Sequence, residues 1–433
     1  MDGDSAWRRW IGSIRFRLVN LVRGTSALAL LRELEYLQFA PRPVLAARQR
    51  SRRDAYADAV RHHSALYQHC ARFEQFPVID KAFANEHRAS LMNPAYRGRL
   101  VHKKTGGSTG QPFVYTTGVL AQSYLWAAIL LSWRVAGYRL GEPVAFLAGS
   151  ALFGSGRKQR LYYALMNVRL WSAFDMSAAR MDQCCAELAG TRCRLLYGYA
   201  AAIDRLAIYI LNKPARPRFH LRGVVCTAEL LTAPMRARIE QAFRVRCFSQ
   251  YGCNDAGVSA YECERRDGFH LITERCWHEV GADGRLFASD MANDAFFLPR
   301  YDTGDRVRLA TQPCPCGRGF PLIAAVLGRA NDMVADQAGN AVHSEFFTHL
   351  FREDACIQAF QVLYDADELR VIVHGACASG AQQRYLERIG AILQFATLRL
   401  VLNEPFVRSS NGKHRFVMRV DNVAQALGEG VAG

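Results

Sequence analysis

The stretch KKTGGSTGQPFVYTTG, residues 103–118, sets Gly106, Gly107 and Gly110 together with Thr105, Ser108 and Thr109 between two β-like runs. Glycine lets a backbone turn sharply and approach a ligand closely, and the hydroxyls add donors to exposed N–H groups. That combination suits a polyanion, most simply a phosphate chain. A polar hairpin loop has the same composition, so the stretch has to be read in context. No Lys-Ser or Lys-Thr follows Gly110, which excludes a Walker loop. The context is a rhythm. β-like runs at PVAFLAG (143–149), LRGVVCTAE (221–229) and VRCFSQYG (245–252) alternate with helical stretches around 119–136, 177–190, 200–212 and 232–243. This predicts an α/β fold with helix-covered sheets, in which ligands collect at the loops following the strands.

Outward from that centre, residues 1–75 read as a helical, Arg-rich lead-in to a large N-terminal domain over 1–331. After it, FQVLYD (360–365), ELRVIVHG (368–375), a helix around 380–394 and TLRLVLN (397–403) predict a small α+β domain over 332–433. At 433 residues, half of them hydrophobic and 22% charged, the chain is globular and too long for one core. Its longest apolar run, LWAAILLSW (125–133), is about half of a membrane span. The opening MDGDSAWRRW lacks a secretory pattern, which predicts a cytoplasmic protein. Thirteen cysteines, an odd number, then read as thiols or metal ligands rather than a disulfide framework.

The formal charge of +16 calls for an anionic partner. The basic residues are spread along the chain, which favours polyphosphate ligands over nucleic acid. In WRRWIGSIRFRLVNLVR (7–23), Trp7, Trp10, Ile14, Leu18 and Leu21 share helical spacing among arginines. Such a stripe is expected to pack on its own protein; peripheral contact with a membrane surface is the alternative.

Four further stretches follow the glycine loop: YGCNDAG (251–257), YDTGD (301–305), GRANDM (328–333) and SSNGKHR (409–415). In this order they resemble the core motifs of the adenylate-forming superfamily of acyl- and aryl-CoA ligases. TGGSTGQP, YGCND and CPCGR (314–318) look most like the branch of phenylacetate-coenzyme A ligases and capsule-biosynthesis ligases. The resemblance implies ATP-dependent activation of a carboxylic acid to an acyl-adenylate, then transfer to coenzyme A. Transfer to an amine or carrier protein, and a non-catalytic nucleotide-binding scaffold, are the alternatives.

It further implies that Thr105, Gly106, Gly107, Ser108, Thr109 and Gly110 grip the departing phosphates, and that Ala228 and Glu229 lie beside adenine. Tyr251 and Gly252 would flank the base, Asp305 would bind the ribose hydroxyls, and Arg329 would lie by ribose and phosphate. Asp255 stands where relatives often carry a magnesium-binding Glu. Lys413 matches the catalytic lysine bridging carboxylate and α-phosphate, and Asp332 the hinge of a mobile C-terminal domain. Cys263, His270, Cys314 and Cys316 form a candidate structural zinc set, with Cys253, Cys276 and His278 as alternative ligands. Cys184 and Cys185 are expected to pack in a helix. The acid pocket is expected from 124–150 and 196–204, where Tyr124, Trp126, Tyr197 and Tyr199 would suit an aryl or apolar acid unless they fill the core.

Overall fold

The computed structural model describes residues 3–105, 113–148, 157–173, 176–229, 231, 233–328, 333–343, 345–352, 354, 356–377, 379–407 and 417–428. The chain divides into two compact units, one of Met1–Lys103 with Val114–Gly328 and one of Lys104–Phe113 with Arg329–Gly433.

The first unit begins with helices α1 (Gly3–Arg23), α2 (Ala27–Leu37), α3 (Arg42–His63), α4 (Lys81–Glu86) and α5 (Arg88–Leu91). A two-stranded sheet of β1 (Val101–Thr105) and β2 (Phe113–Thr117) follows, then α6 (Val119–Val135). Ala27, Leu31, Leu34 and Leu37 make one helical stripe that buries α2 against α6. Proline at position 41 sets the entry to α3, whose Gln49 amide donates to the Cys276 carbonyl at 3.0 Å. On α1 the expectation fails: Trp7, Trp10, Leu18 and Leu21 are exposed, while Phe16 and Val19 are buried. A second apolar stripe, on the opposite side, is the one that packs. It does so through Gly12, where a Cβ would stand 2.1 Å from the Gly141 carbonyl oxygen.

The body of the unit is β3 (Val144–Ala148), α7 (Arg157–Leu165), β4 (Val168–Ser172), α8 (Ala178–Gly190), β5 (Leu195–Tyr199), α9 (Ala200–Leu211), β6 (Gly223–Thr227), α10 (Ala233–Phe243) and β7 (Arg246–Cys253). Its strands pair in parallel in the order β4-β3-β5-β6-β7. Strand periodicity sends Phe146, Tyr197, Val225 and Phe248 into one core with α1, α2 and α6. It sends Leu147, Leu196, Cys226 and Cys247 into another with α8, α9 and α10. Both faces are covered, which is why these strands read as continuous apolar runs. Cys184 and Cys185 pack in α8 as expected. Tyr197 packs in the first core edge-on against Trp133 and tilted against Phe146, so it fills the interior; Trp126, only partly buried, meets Phe16 and Trp133 edge-on and lines a small recess with Gln122 and Tyr162. Tyr124 is 3% exposed.

The same sheet continues with β8 (Val258–Glu262), β9 (Phe269–Leu271), β10 (Cys276–Val280), β11 (Arg285–Asp290), β12 (Tyr301–Leu309) and β13 (Leu322–Gly328). These are antiparallel in the order β8-β9-β13-β12-β11-β10, with β8 paired to β7. β7 is therefore the switch: its first half pairs in parallel with β6 and its last residues pair antiparallel with β8.

The second unit contains β14 (Met333–Ala335) paired with β15 (Ala341–His343), α11 (Glu345–Arg352), β16 (Ile357–Tyr364), β17 (Glu368–Gly375), α12 (Ser379–Gly390), β18 (Thr397–Leu402), β19 (Val417–Arg419) and α13 (Val423–Gly428). Its four-stranded sheet runs β18-β17-β16-β19 and buries Val362, Val371 and Val373 with Tyr385 and Ile389 of α12. Three-residue β14, β15 and β19 are too short for a periodic signal and go unnoticed in the sequence.

Trp133, 1% exposed, meets the rings of Trp126, Tyr138, Phe146 and Tyr197 and ties α6 to the sheet. Trp133→Ala is expected to destabilise the first unit by about 3–5 kcal/mol, and Trp133→Phe by less than half of that. Thermal unfolding of the two variants measures it; equal, small shifts would show that the ring cluster does not hold α6.

Candidate active site

The described motif residues gather where the parallel strands end. β6 gives way to Ala228, which holds a left-handed φ of 66°, and to Glu229. β7 ends in Tyr251, Gly252 and Cys253, and the turn Asn254–Gly257 leads into β8. β12 contributes Tyr301 and Asp305. The Tyr251 hydroxyl donates to Asp305 Oδ2 at 2.7 Å, joining two motifs 54 residues apart. The Asp305 N–H is held by the Thr303 hydroxyl at 3.1 Å, so the carboxylate is oriented from both its backbone and its tip.

Asp255 is buried and receives the Cys253 thiol at 2.8 Å, the Ala256 N–H at 3.2 Å and the Tyr301 hydroxyl at 3.3 Å. Beneath this turn lies a group that sequence reading misses. The Arg275 guanidinium, 0% exposed, binds Asp290 through Nη2 at 2.8 Å and Nε at 3.4 Å, and reaches the Asn254 side-chain oxygen at 3.1 Å. Asn254 in turn donates to the Tyr115 hydroxyl at 3.1 Å, linking the turn to β2. Gly257, with φ of 73°, lets the chain pass Asp290: a Cβ there would stand 2.6 Å from the Asp290 side chain. Burial lowers the Lys103 ammonium to about 7; the Arg275 charge adds to the shift, while Asp290 and Asp255 oppose it. Burial, reinforced by Asp255, pushes the Tyr115 hydroxyl well up, so it stays protonated. Arg275 and Asp290 carry no periodic signal in the sequence.

Thr105 ends β1, and its side chain is not among those described. Gly106, Gly107, Ser108, Thr109, Gly110, Arg329, Asp332 and Lys413 lie outside the described residues. One concavity among the described residues, about 430 Å³, is lined by Arg134, Gly137, Tyr138, Arg139 and Arg222 and includes none of the motif residues. Two of its arginines are already paired, Arg134 with Glu35 and Arg222 with Glu142, so it is not taken as the site.

The cysteine cluster assembles through the sheet. Cys263 follows β8, His270 lies in β9, and Cys314 and Cys316 sit in the loop from β12 to β13. Pairing of Leu322 with His270 brings the two halves together. The four ligand atoms lie within 4.8 Å of one another, with Cys263 Sγ to Cys314 Sγ at 3.7 Å and Cys316 Sγ to His270 Nε2 at 3.3 Å. A tetrahedron with metal–sulfur bonds of about 2.3 Å has sulfur–sulfur edges of about 3.8 Å, so the set fits a closed tetrahedral ion. Burial and the Arg318 charge lower His270 to about 4, keeping the ring neutral and able to ligate. Burial works against the Cys316 thiolate, but bonds from the Arg318 backbone and side chain and from the neighbouring thiols lower its pKa. Cys253, Cys276 and His278 take no part: they contact Asp255, the Ile272 carbonyl and Gln49 respectively.

No protein-family model matches the chain. Protein CapK of Staphylococcus aureus is 23% identical over 312 residues, covering 70% of this chain and 69% of that protein. A phenylacetate-coenzyme A ligase of Thermus thermophilus is 27% identical over 173 residues, covering 35% of this chain and 39% of the ligase. Among solved structures, 2-hydroxyisobutyryl-CoA ligase in the postadenylation state with R3-HIB-AMP matches with a TM-score of 0.57 at 16% identity, covering 91% of this chain and 93% of that one. The same ligase with 2-HIB-AMP and CoA in the thioesterification state gives 0.56 at 17% identity, covering 89% and 91%. The mixed α/β architecture is thus that of these ligases, and in sequence the chain resembles members of the adenylate-forming superfamily.

Arg275→Met strands the Asp290 carboxylate in the interior and is expected to destabilise the first unit by about 3–5 kcal/mol. The double variant Arg275→Met/Asp290→Leu is expected to recover at least about half of that loss. A double-mutant cycle in denaturant reads the coupling; additive losses would mean the two charges do not act as a pair.

Proposed function

We propose that this chain activates a carboxylic acid with ATP and passes the acyl group to coenzyme A. The observation carrying this reading is the meeting of Ala228-Glu229, Tyr251–Asp255 and Asp305 at the carboxyl end of the parallel sheet, with Tyr251 bonded to Asp305. In the first half-reaction a carboxylate oxygen bonds to the α-phosphorus as the bond to the β-phosphate bridging oxygen breaks, and pyrophosphate leaves. In the second, a thiol gives up its proton, its sulfur bonds to the acyl carbon, and AMP departs with the electron pair. The first step brings two anions together, so the site has to neutralise charge and hold them in line.

In this reading Asp305, oriented by Tyr251 and Thr303, accepts the ribose hydroxyls, whose two donors match its two oxygens. Tyr251 supports the adenine, with Ala228 and Glu229 beside it. Asp255 would hold magnesium together with phosphate oxygens, a role that its hard carboxylate and buried position suit. When bound, that ion supplies neutralisation of phosphate charge. By their places in the motifs, Thr105–Gly110 take the departing phosphates and Arg329 the ribose-phosphate side. Lys413 takes the oxygen between acid and α-phosphate, and Asp332 the hinge.

Carboxylate-dependent exchange of pyrophosphate into ATP, across a panel of acids, tests the reading; no exchange with any acid would favour a nucleotide-binding scaffold. Mass spectrometry of the product with coenzyme A or amines present identifies the acceptor. Lys413→Ala is expected to lower exchange by at least about a hundredfold while leaving use of a pre-made adenylate within about threefold. Equal loss in both half-reactions would remove Lys413 from the adenylation step.

The tetrahedral cluster is read as a structural zinc site. Four protein ligands leave no position for water or substrate. Protein purified without chelator is expected to hold about one equivalent of zinc, and Cys314→Ser to lower both metal content and melting temperature. Less than about a tenth of an equivalent, at full stability, would leave four unliganded side chains.

A further inference from the structure

Helix α1 has two apolar faces, and a helix resting on its own protein needs one. The inward face is accounted for: Phe16 and Val19 are buried, the Asn20 amide donates to the Phe16 carbonyl at 2.8 Å, and Gly12 lies against Gly141. Only a hydrogen fits between Gly12 and the Gly141 carbonyl, so the helix cannot roll without losing its seat. The outward face carries Trp7 (58% exposed), Trp10 (55%), Leu18 (53%), Leu21 (77%) and Val22 (82%). At 100° per residue these five form one stripe about 120° wide. The rings of Trp7 and Trp10 stack with centroids 4.9 Å apart, so the aromatic end is a single block. Leu161 and Leu165 of α7, the helix that α1 packs against, are also exposed.

The charges choose the occupant. Arg15 and Arg17, both exposed, border the stripe on either side, and residues 7–23 contain five arginines and no acid. A second copy of the chain docking stripe to stripe would bring together two copies of residues 7–23, each with five arginines and no carboxylate, and these repel. A lipid surface offers what both elements need: acyl chains for Leu and Val, the headgroup layer for Trp, and phosphates for Arg. A free phosphate would meet the arginines and leave the stripe in water. We propose that α1 lies in the interface of an anionic bilayer, with Trp7, Trp10, Leu18, Leu21 and Val22 immersed and Arg15 and Arg17 on lipid phosphates. Among the described residues no helix is long and apolar enough to cross a membrane, so the contact is peripheral.

The test is flotation of the full chain with vesicles of phosphatidylcholine alone or with about 30% phosphatidylglycerol. Binding to the anionic vesicles is expected to be at least about tenfold tighter and to weaken at about 0.5 M salt. Trp10→Glu/Leu21→Glu and Arg15→Glu/Arg17→Glu are each expected to reduce it by about tenfold or more, with melting temperatures within about 2 °C of wild type, because these residues are exposed. No binding to anionic vesicles, or equal binding by wild type and both variants, overturns the proposal. So does a Trp10→Glu/Leu21→Glu variant that turns a dimer into a monomer while vesicles leave the wild type unbound.

Discussion

The Arg275 guanidinium and the Asp290 carboxylate have both left water, and the ground on which the candidate site stands is built over them. Desolvating two charges costs several kcal/mol per ion, which the pair recovers only if its geometry is good and its other hydrogen-bonding capacity is used. The first condition is met and the second in large part: the contact uses Nε and Nη2, Arg275 also binds Asn254, and Asp290 accepts the Ala292 N–H at 3.1 Å, while Arg275 Nη1 is buried without a hydrogen bond among the described residues. Such a pair adds little net stability but a great deal of position, since any shift of the turn leaves a charge unpartnered. Asn254 is thereby fixed from below, and Gly257 passes the Asp290 side chain at a distance only glycine allows. Asp255 stands between those two anchors.

That arrangement explains which parts of the molecule the sequence discloses. Strands covered on both faces leave long apolar runs, so β3, β6 and β7 are legible, as are the helices between them. The motifs are legible too, because a turn that exposes backbone to a ligand needs unusual residues at fixed places. Arg275 and Asp290 stay hidden because their meeting is made by strand pairing, which leaves no mark on local spacing. The α1 orientation is misread for a different reason. Periodicity finds apolar stripes but does not rank them, and the deciding feature is the close contact of Gly12 with Gly141, over a hundred residues away in sequence. Tyr197 fails as a pocket marker because a bulky ring is also what fills the space between α6 and the sheet.

Strand β8 has the Asn254–Gly257 turn at one end and Cys263 at the other, and β12 carries Tyr301 and Asp305 before running into the loop of Cys314 and Cys316. The four-residue cluster therefore lies at the end of β8 away from the Asn254–Gly257 turn and beyond the end of β12, whose first half carries Tyr301 and Asp305. A strand slips in steps of whole residues, and each step would turn its side chains to the opposite face. With a metal bound as proposed, pinning the far ends would forbid that step, and the register that sets Tyr251 against Asp305 would be held from a distance. The cluster can accordingly be buried and closed while the site stays open, and the two can differ in chemistry while sharing one sheet.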